Sequence, residues 1–524
     1  ISLPGPARLE VEGRGHVIDG ISHAFAVPTG DGGLSAWLVD GRTTGAGAGG
    51  EAGSGGGFDV RGALVLVDGM ASGVTFKTWE ARGAVGQIHV HDDHLHETSI
   101  SPVWGNPDER GLDEMPRTPS LAIRRADGER LRALLAQEGP VTVSITTQAL
   151  TEWRPIPLLT AQLPGAPATP YVLLSSHVDS WYYGAMDNGS ANATTLEVAR
   201  ILGEQRESLS RGLRVAFWSG HSHGRFAGSA WFADQNWQDL YENCVAHVFV
   251  DSTGGIDATI ITEPPVMPQT HALAAEVIES LTGEKFEGKR IGRFADQSFY
   301  AIGLNSIFGT LSEQDASKNA NTISFKTGGR RAGGLGWWWH TPDDTIDKVD
   351  ESFLVRDTRI YLAAVHRLLT APLLPFDYRP AIDEIIAVVG PRVEAAKVHL
   401  DLSDLVADLE RAREAIRAFH GLLEERGEGA SHEFLASANA ALLKLSRHLV
   451  PIAFHESGRF ERDMAAPLVP VPSLRELEAL AGMDAEDVAA HPLATRLHRN
   501  ANRVRFGVRG AVRVAEEVVS ELGA

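Results

Sequence analysis

The stretch that decides the fold is "YVLLSSHVDSWYYGAMDNGSANATTLEVAR", which covers residues 171–200. It begins with an apolar strand-like run, continues through a polar loop that contains glycine, and becomes an amphipathic helix pattern over 190–205. A second strand and helix follow at 213–220 and 224–235, and a third strand pattern covers 245–255. Strands that alternate with helices predict an α/β domain with a mixed, mostly parallel sheet sandwiched by helices.

Side chains that can bind a metal end the three strands or lie just beyond them. They are His177, then His221 or His223, then Asp251, together with Asp187 in the loop after the first strand and His340 further along the chain. Ligands bind beyond the carboxyl ends of parallel strands, so these groups are expected to converge at one edge of the sheet. Imidazole nitrogens and carboxylate oxygens together suit zinc or a similar divalent ion, manganese included.

The regions on either side have different patterns. Residues 45–57, "GAGAGGEAGSGGG", are typical of a flexible loop, and the strand patterns at 62–69 and 140–148 indicate a small β-rich module. Apolar residues recur at helical spacing beyond about residue 380, with further helices expected at 431–449, 473–490 and 496–522. The sequence therefore predicts four regions, namely an N-terminal segment 1–44, the module 45–150, the α/β domain 151–375 and a helical region 376–524.

Composition restricts the function classes. The 524 residues carry a net charge of −20, which argues against broad nucleic-acid binding because that needs a basic surface. The single cysteine, Cys244, excludes an intrachain disulfide. No apolar run reaches the ~20 residues needed to cross a bilayer, so no membrane partner is expected. We expect a cytoplasmic protein, although the chain starts at Ile1 and processing could have removed a targeting signal.

Four segments together resemble a known family. The 171–200 stretch, "FVDSTGG" (249–255), "ADQSFYAIGLNSI" (295–307) and "HTPDDTIDKVD" (340–350) resemble, in this order, the motifs of the zinc aminopeptidase and glutamate carboxypeptidase family, which also contains the transferrin receptor. The resemblance extends to a protease-associated domain in the 45–150 module and to a dimerisation region in the C-terminal helices. It implies a zinc aminopeptidase-like fold and a homodimer formed through those helices.

The resemblance also implies roles for the site residues. His177 and Asp251 would hold one metal ion, His340 would hold a second, and Asp187 would bridge the two. Asp179 would hold a ligand in place or add negative charge near it. Paired metal ions polarise a carbonyl group and generate hydroxide near neutral pH.

The chain departs from the family at "GHSHGRFAGS", residues 220–229. Family members carry two glutamates here, the first as general base and the second as metal ligand. Alignment on Gly224 puts His221 at the base position and Ser222 at the ligand position. Alignment on Gly228 and the serine after it puts Ser222 at the base position and His223 at the ligand position, and the sequence alone does not choose between them.

Three consequences follow from this replacement. Histidine is both a base and a zinc ligand, so His221 and His223 could take one role each, and hydrolysis of a small peptide or amide, such as an N-acyl amino acid, would survive. Alternatively, a one-metal site could run non-hydrolytic chemistry, as in a lyase. In the third case the scaffold serves as a catalytically silent binding protein.

Other side chains near these motifs are candidates for substrate binding. Trp181, Tyr182 and Trp339 flank ligand candidates and could wall an apolar pocket. Arg225, Arg330 and Arg331 could bind a substrate carboxylate. The histidine-rich segment "HVHDDHLHE" (89–97) is interpreted as a loop that reaches toward the active site in preference to a second metal site.

Overall fold

The computed structural model describes residues 1–44, 59–164, 167, 170–293, 295–317, 331–484 and 486–522. The glycine-rich stretch 45–57 lies outside the described residues. The strands are β1 Ser2–Val11, β2 His16–Ser22, β3 Leu34–Asp40, β4 Leu64–Asp68, β5 Gly86–Val90, β6 Ser120–Ile123, β7 Thr142–Thr151, β8 Leu159–Gln162, β9 Tyr171–His177, β10 Gly212–Trp218, β11 Cys244–Phe249, β12 Pro265–Val266, β13 Lys289–Arg290 and β14 Asn305–Ile307.

The helices follow the same chain order. They are α1 Gly73–Ala81, α2 Glu109–Asp113, α3 Arg125–Glu138, α4 Ala191–Glu204, α5 Ala227–Gln235, α6 Trp237–Asn243, α7 His271–Thr282, α8 Glu351–Thr370, α9 Arg379–Ala396, α10 Ser403–Arg426, α11 His432–Phe454, α12 Leu477–Ala481 and α13 Ala490–Leu522.

The first seven strands close into a barrel in the order β1-β2-β6-β5-β4-β3-β7. The prediction of a separate N-terminal segment at 1–44 is therefore wrong, because β1 to β3 are part of this barrel. In β1 the side chains of Ala7, Leu9 and Val11 are buried and those between them are exposed. That alternation is typical of a half-buried strand, and it indicates that residues before position 44 belong to a sheet.

The second sheet carries the candidate site. Its order is β13-β12-β14-β11-β9-β10-β8, with β9 between β11 and β10 and parallel to both. Every residue of β9 is buried, as expected for a strand covered on both faces. This architecture confirms the mixed, mostly parallel sheet that the strand and helix alternation predicts.

The C-terminal helices pack on the α/β domain instead of forming a separate body. One continuous apolar core joins sheet residues such as Val172 to α8, α10 and α13. Arg447 of α11 is buried and donates hydrogen bonds to the carbonyl oxygens of Tyr241, Gly303 and Cys244 at 2.8, 3.0 and 2.6 Å. The helix expected over 473–490 is only the short α12, which ends where Gly482 follows it.

Candidate metal centre

The carboxyl ends of three neighbouring strands bring the predicted side chains together. His177 is the last residue of β9 and pairs in register with Trp218, the last residue of β10. The loop that carries His221 follows β10, and Asp251 lies two residues beyond β11. Because all three strands run parallel, these groups meet at one edge of the sheet.

The ligand atoms lie close enough to share one ion. Those offered by His177, His221 and Asp251 are all within 4.8 Å of one another. Nε2 of His177 lies 3.1 Å from Oδ1 of Asp187 and 3.5 Å from Oδ1 of Asp251. Nε2 of His340 lies 2.9 Å from Oδ2 of Asp187, so the Asp187 carboxylate lies between the two histidines.

The orientation of these histidines fits a cation site. Nδ1 of His177 is 2.8 Å from the carbonyl oxygen of Asp179, and Nδ1 of His340 is 2.7 Å from the carbonyl oxygen of Glu97. Since a carbonyl oxygen only accepts, each Nδ1 is the donor, which leaves Nε2 to face the carboxylate oxygens. Nε2 of His177 is buried without a hydrogen-bond partner. A divalent cation at this point would satisfy the nitrogen and the oxygens together.

Charge around Asp187 supports the same conclusion. Burial acts to raise the pKa of Asp187, but the contacts with His177 and His340 outweigh it and hold the pKa well below its usual range. Burial likewise acts to lower the pKa of His177, and the carboxylates of Asp187 and Asp251 raise it well above its ordinary value. The site therefore keeps its carboxylates ionised and ready to bind a cation.

The loop that carries Asp187 is fixed from outside. Asp344 accepts hydrogen bonds from the backbone N–H groups of Met186 and Asp187 at 2.8 and 3.0 Å. Gly184 has φ +55°, and a Cβ there would lie 2.3 Å from Cβ of Ser180, so this turn requires glycine. Asp344 therefore positions Asp187.

The two histidines of the His-Ser-His loop have different neighbours. The ring of His221 stacks on that of His177 with centroids 3.7 Å apart. Its Nδ1 lies 2.7 Å from Oδ2 of Asp296, which leaves Nε2 to face the ligand group. The ring of His223 instead packs on Trp181 at 4.1 Å, with its Nδ1 3.5 Å from Oδ2 of Asp179. The expectation that His223 is a metal ligand is thus corrected, because His221 lies with His177 and Asp251 instead.

Asp179 and Asp296 hold the loop in this arrangement. The Asp179 carboxylate accepts the backbone N–H groups of His221 and Ser222 at 3.0 and 2.9 Å. Asp296 is fully buried and also accepts the hydroxyl of Ser229 at 2.6 Å. Asp296 was not among the predicted site residues, although it lies in the "ADQSFY" motif that resembles a family segment.

Comparison with known proteins agrees with this geometry. Residues 159–365 match the profile of the family described as Peptidase family M28. Over these residues, called the M28 domain, the chain is similar to peptidase family M28. The match covers β8 to most of α8, and so contains the residues of the metal centre from His177 to His340.

Two curated relatives are similar to part of this chain. A probable glutamate carboxypeptidase of Zea mays is 26% identical over 219 residues, which are 40% of this chain and 30% of the maize protein. The aminopeptidase NAALADL1 of Rattus norvegicus is 26% identical over 333 residues, 57% of this chain and 44% of the rat protein. The aligned part of the chain is thus less than half the length of either relative.

A solved structure shares the fold. The crystal structure of a peptidase M28 precursor from Shewanella amazonensis SB2B aligns with TM-score 0.52 and 19% identity, and covers 71% of this chain and 84% of that chain. At this identity the similarity supports the zinc aminopeptidase-like fold alone. No helix among the described residues is long and apolar enough to cross a membrane.

Aromatic side chains of the M28 domain stand beside the candidate ligands. The ring of Trp339 stacks on that of His340 at 3.3 Å, and Trp181 lies 6.0 Å from the same ring. The hydroxyl of Tyr182 donates to Oε1 of Glu97 at 2.9 Å. Trp181 and Trp339 therefore lie beside His340, and their contact with a substrate stays a prediction.

The arginines predicted to bind a substrate carboxylate do not lie together in the structure. Arg331 lies 3.8 Å from Asp315 at the surface, and its backbone N–H donates to Glu263, away from the ligand group. Arg330 lies outside the described residues. Arg225 extends to the far side of the His-Ser-His loop, where Nη2 donates to the carbonyl oxygen of Ala465 at 3.2 Å.

The histidine-rich segment 89–97 reaches the M28 domain, as expected. Nδ1 of His96 lies 2.6 Å from the carbonyl oxygen of Trp339. The backbone N–H of Glu97 donates a hydrogen bond to the carbonyl oxygen of His340 at 3.0 Å. Burial raises the pKa of Glu97 to about 7. Within the described ranges, His177, His221 and Asp251 form the one group of three or more potential ligands close enough to share an ion, so segment 89–97 supports the site without forming a second.

Proposed function

We propose that this protein is a metal-dependent hydrolase of a small peptide or amide, for example an N-acyl amino acid, with a histidine-based catalytic site. The observation that carries the proposal is the group of ligand atoms from His177, His221 and Asp251 within 4.8 Å, around a buried imidazole nitrogen without a hydrogen-bond partner. The M28 match supports a peptidase reaction. The substrate class extends beyond the comparisons and is part of the proposal.

The residues would hold one divalent cation, zinc or manganese, through His177, His221, Asp251 and Asp187. A cation in such a site polarises a carbonyl group and lowers the pKa of water. Asp296 fixes the ring of His221 through its Nδ1, and the carbonyl oxygen of Asp179 fixes that of His177. Such outer hydrogen bonds orient a ligand and increase its basicity.

We assign proton transfer to His223. Its Nδ1 faces the carboxylate of Asp179, so Nε2 is the nitrogen available to accept a proton. Burial acts to raise the pKa of Asp179, but its hydrogen bond with His223 and the other nearby histidines lower it below the usual range, and the carboxylate stays charged. His223 would take a proton from the attacking water and pass it to the leaving amide nitrogen.

A second cation has fewer partners. His340 and Asp187 face each other at 2.9 Å, but the ring of His223 packs on Trp181. We therefore propose one tightly held ion. The homodimer stays a prediction, for which Phe506 of α13, 70% exposed, offers an apolar contact.

A lyase is the second candidate, because one ion and a histidine base can also support elimination. Isotope labelling separates the two reactions. In water enriched in ¹⁸O, hydrolysis places the label in the released carboxylate, whereas elimination leaves the product unlabelled.

Metal analysis and turnover test the proposal together. Protein purified without chelator should contain one zinc or manganese ion per chain and should hydrolyse members of a panel of dipeptides and N-acyl amino acids. Chelation should abolish turnover, and the ion should restore it. A chain that binds no metal and gains no thermal stability from zinc or manganese would overturn the proposal, whereas metal binding without turnover would favour the silent binding protein.

A further inference from the structure

A cavity of about 780 Å³ lies between the barrel and the α/β domain. It touches the His-Ser-His loop from behind, through Gly224 and Arg225, and none of the metal-site side chains is among the described residues that line it. Its volume is within the range of small-molecule sites. It is therefore separate from the proposed catalytic centre.

The cavity walls are mostly apolar and aromatic. Trp104 forms a buried wall, whereas Trp153 and Trp231 line the cavity with 71% and 47% of their surface exposed. Leu112, also on the lining, is 47% exposed. Large apolar side chains that stay in water around a concave site indicate a place where an apolar ligand is bound.

Among the described residues, three charged side chains line the cavity: Glu152 and Arg154, which form an ion pair with each other, and Arg225. Nε of Arg225 is buried without a hydrogen-bond partner, and Nη2 donates only to the carbonyl oxygen of Ala465. Burial lowers the pKa of Arg225 to about 10, so the guanidinium stays charged at neutral pH. No carboxylate in the described part of the chain forms an ion pair with it, and an unpaired charge among apolar walls favours an anionic ligand.

We propose that this cavity binds a monocarboxylate with an apolar body, such as a fatty acid or an arylalkanoate. The carboxylate pairs with Arg225, and the apolar body lies against Trp104, Trp153 and Trp231. This site is additional to the proposed hydrolase site and does not depend on it.

Calorimetric titration of the whole protein with octanoate tests the proposal, with 1-octanol as the uncharged match. Octanoate should bind saturably at one per chain and change the tryptophan fluorescence, and 1-octanol should bind at least about tenfold more weakly, because a charge-assisted hydrogen bond is lost. Arg225→Met should weaken octanoate binding by a similar factor, and Arg225→Lys should restore part of it.

Two controls keep the result decisive. Octanoate should bind equally well before and after removal of the metal by chelator, because binding that requires the metal would place the anion at the catalytic centre and overturn the proposal. If Arg225→Met does not fold, Trp231→Ala at an exposed helix position should weaken octanoate binding and reduce the fluorescence change. No saturable binding at millimolar octanoate, or equal binding of 1-octanol, would also overturn it.

Discussion

Two groups of buried histidines in this molecule have opposite chemistry. At the metal centre, His177 faces carboxylate oxygens at 3.1 and 3.5 Å. The barrel histidine cluster consists of His23, His89, His91 and His96, whose neighbouring ring centroids lie 5.4 to 6.1 Å apart. Its nearest carboxylate contact is that of Asp92 with His96, at 3.7 Å.

The pKa values show what this difference means. Burial alone dominates in the barrel, where it lowers the pKa of His89 to about 4 and of His91 to about 3. At the metal centre, carboxylates overcome the same burial and raise the pKa of His177. Buried histidines can therefore form a cation site where ionised carboxylates lie beside them. Where no such carboxylates are present, the rings stay neutral and serve in packing.

The largest effect is expected from removing a carboxylate at the metal centre. Asp251→Asn should weaken zinc binding by more than about a hundredfold, the upper end of losses from outer partners, because a charged ligand is lost. Equilibrium zinc titration with a competing chelator measures it. His91→Asn in the barrel is the control and should leave affinity and stoichiometry unchanged; a loss of bound zinc there would erase the proposed difference between the two groups.

The next prediction separates the two histidines of the loop. His223→Ala should keep the metal and lose roughly 10²- to 10⁴-fold in kcat, as expected for loss of a general base. His221→Ala should lose metal affinity, because its ring lies with the ligands. Metal content and steady-state kinetics of both variants check this, and the opposite pattern would return His223 to the ligand position.

Asp296→Asn should have a smaller effect of about 10- to 100-fold on metal affinity, because Asp296 orients His221 without contacting the ion. Zinc titration measures it, with Ser229→Ala as a milder control that removes one hydrogen bond to the same carboxylate. Unchanged affinity in Asp296→Asn would show that His221 is not held through Nδ1.

The smallest effect is a pH dependence of stability in the barrel. His91 has a folded pKa of about 3 against an ordinary value of 6.5, so between these values the unfolded chain binds the extra proton. The free energy of unfolding should therefore decrease as the pH is lowered from 6.5 toward 3, by up to about 1.4 kcal/mol per pH unit for this residue. Urea denaturation measures the free energy of unfolding of His91→Gln and of the wild type. Between pH 6.5 and pH 5 the wild type should lose about 2 kcal/mol more than the variant does. A constant difference would contradict the neutral assignment of His91.

Much of the fold was readable from local pattern. The strand at β9 and the helix at α4 show clear periods, and the convergence of His177, Asp187, Asp251 and His340 follows from parallel strand ends. The barrel strands β1 to β3 were missed, although their alternation is visible, because no family motif drew attention to them. The contact of Asp296 with His221 joins residues 75 apart in sequence, and no local pattern encodes it.

The sequence by itself determined the α/β architecture and the types of side chain available as ligands, since these depend on residue identity and short-range periodicity. Only the tertiary structure decided which histidine of "GHSHG" faces the ligands. That choice depends on the carboxylates of Asp179 and Asp296, which come from different strands and loops and fix the backbone and the ring of His221. The electrostatic partners of a side chain are set by the packing of distant segments, so spacing along the chain leaves them open.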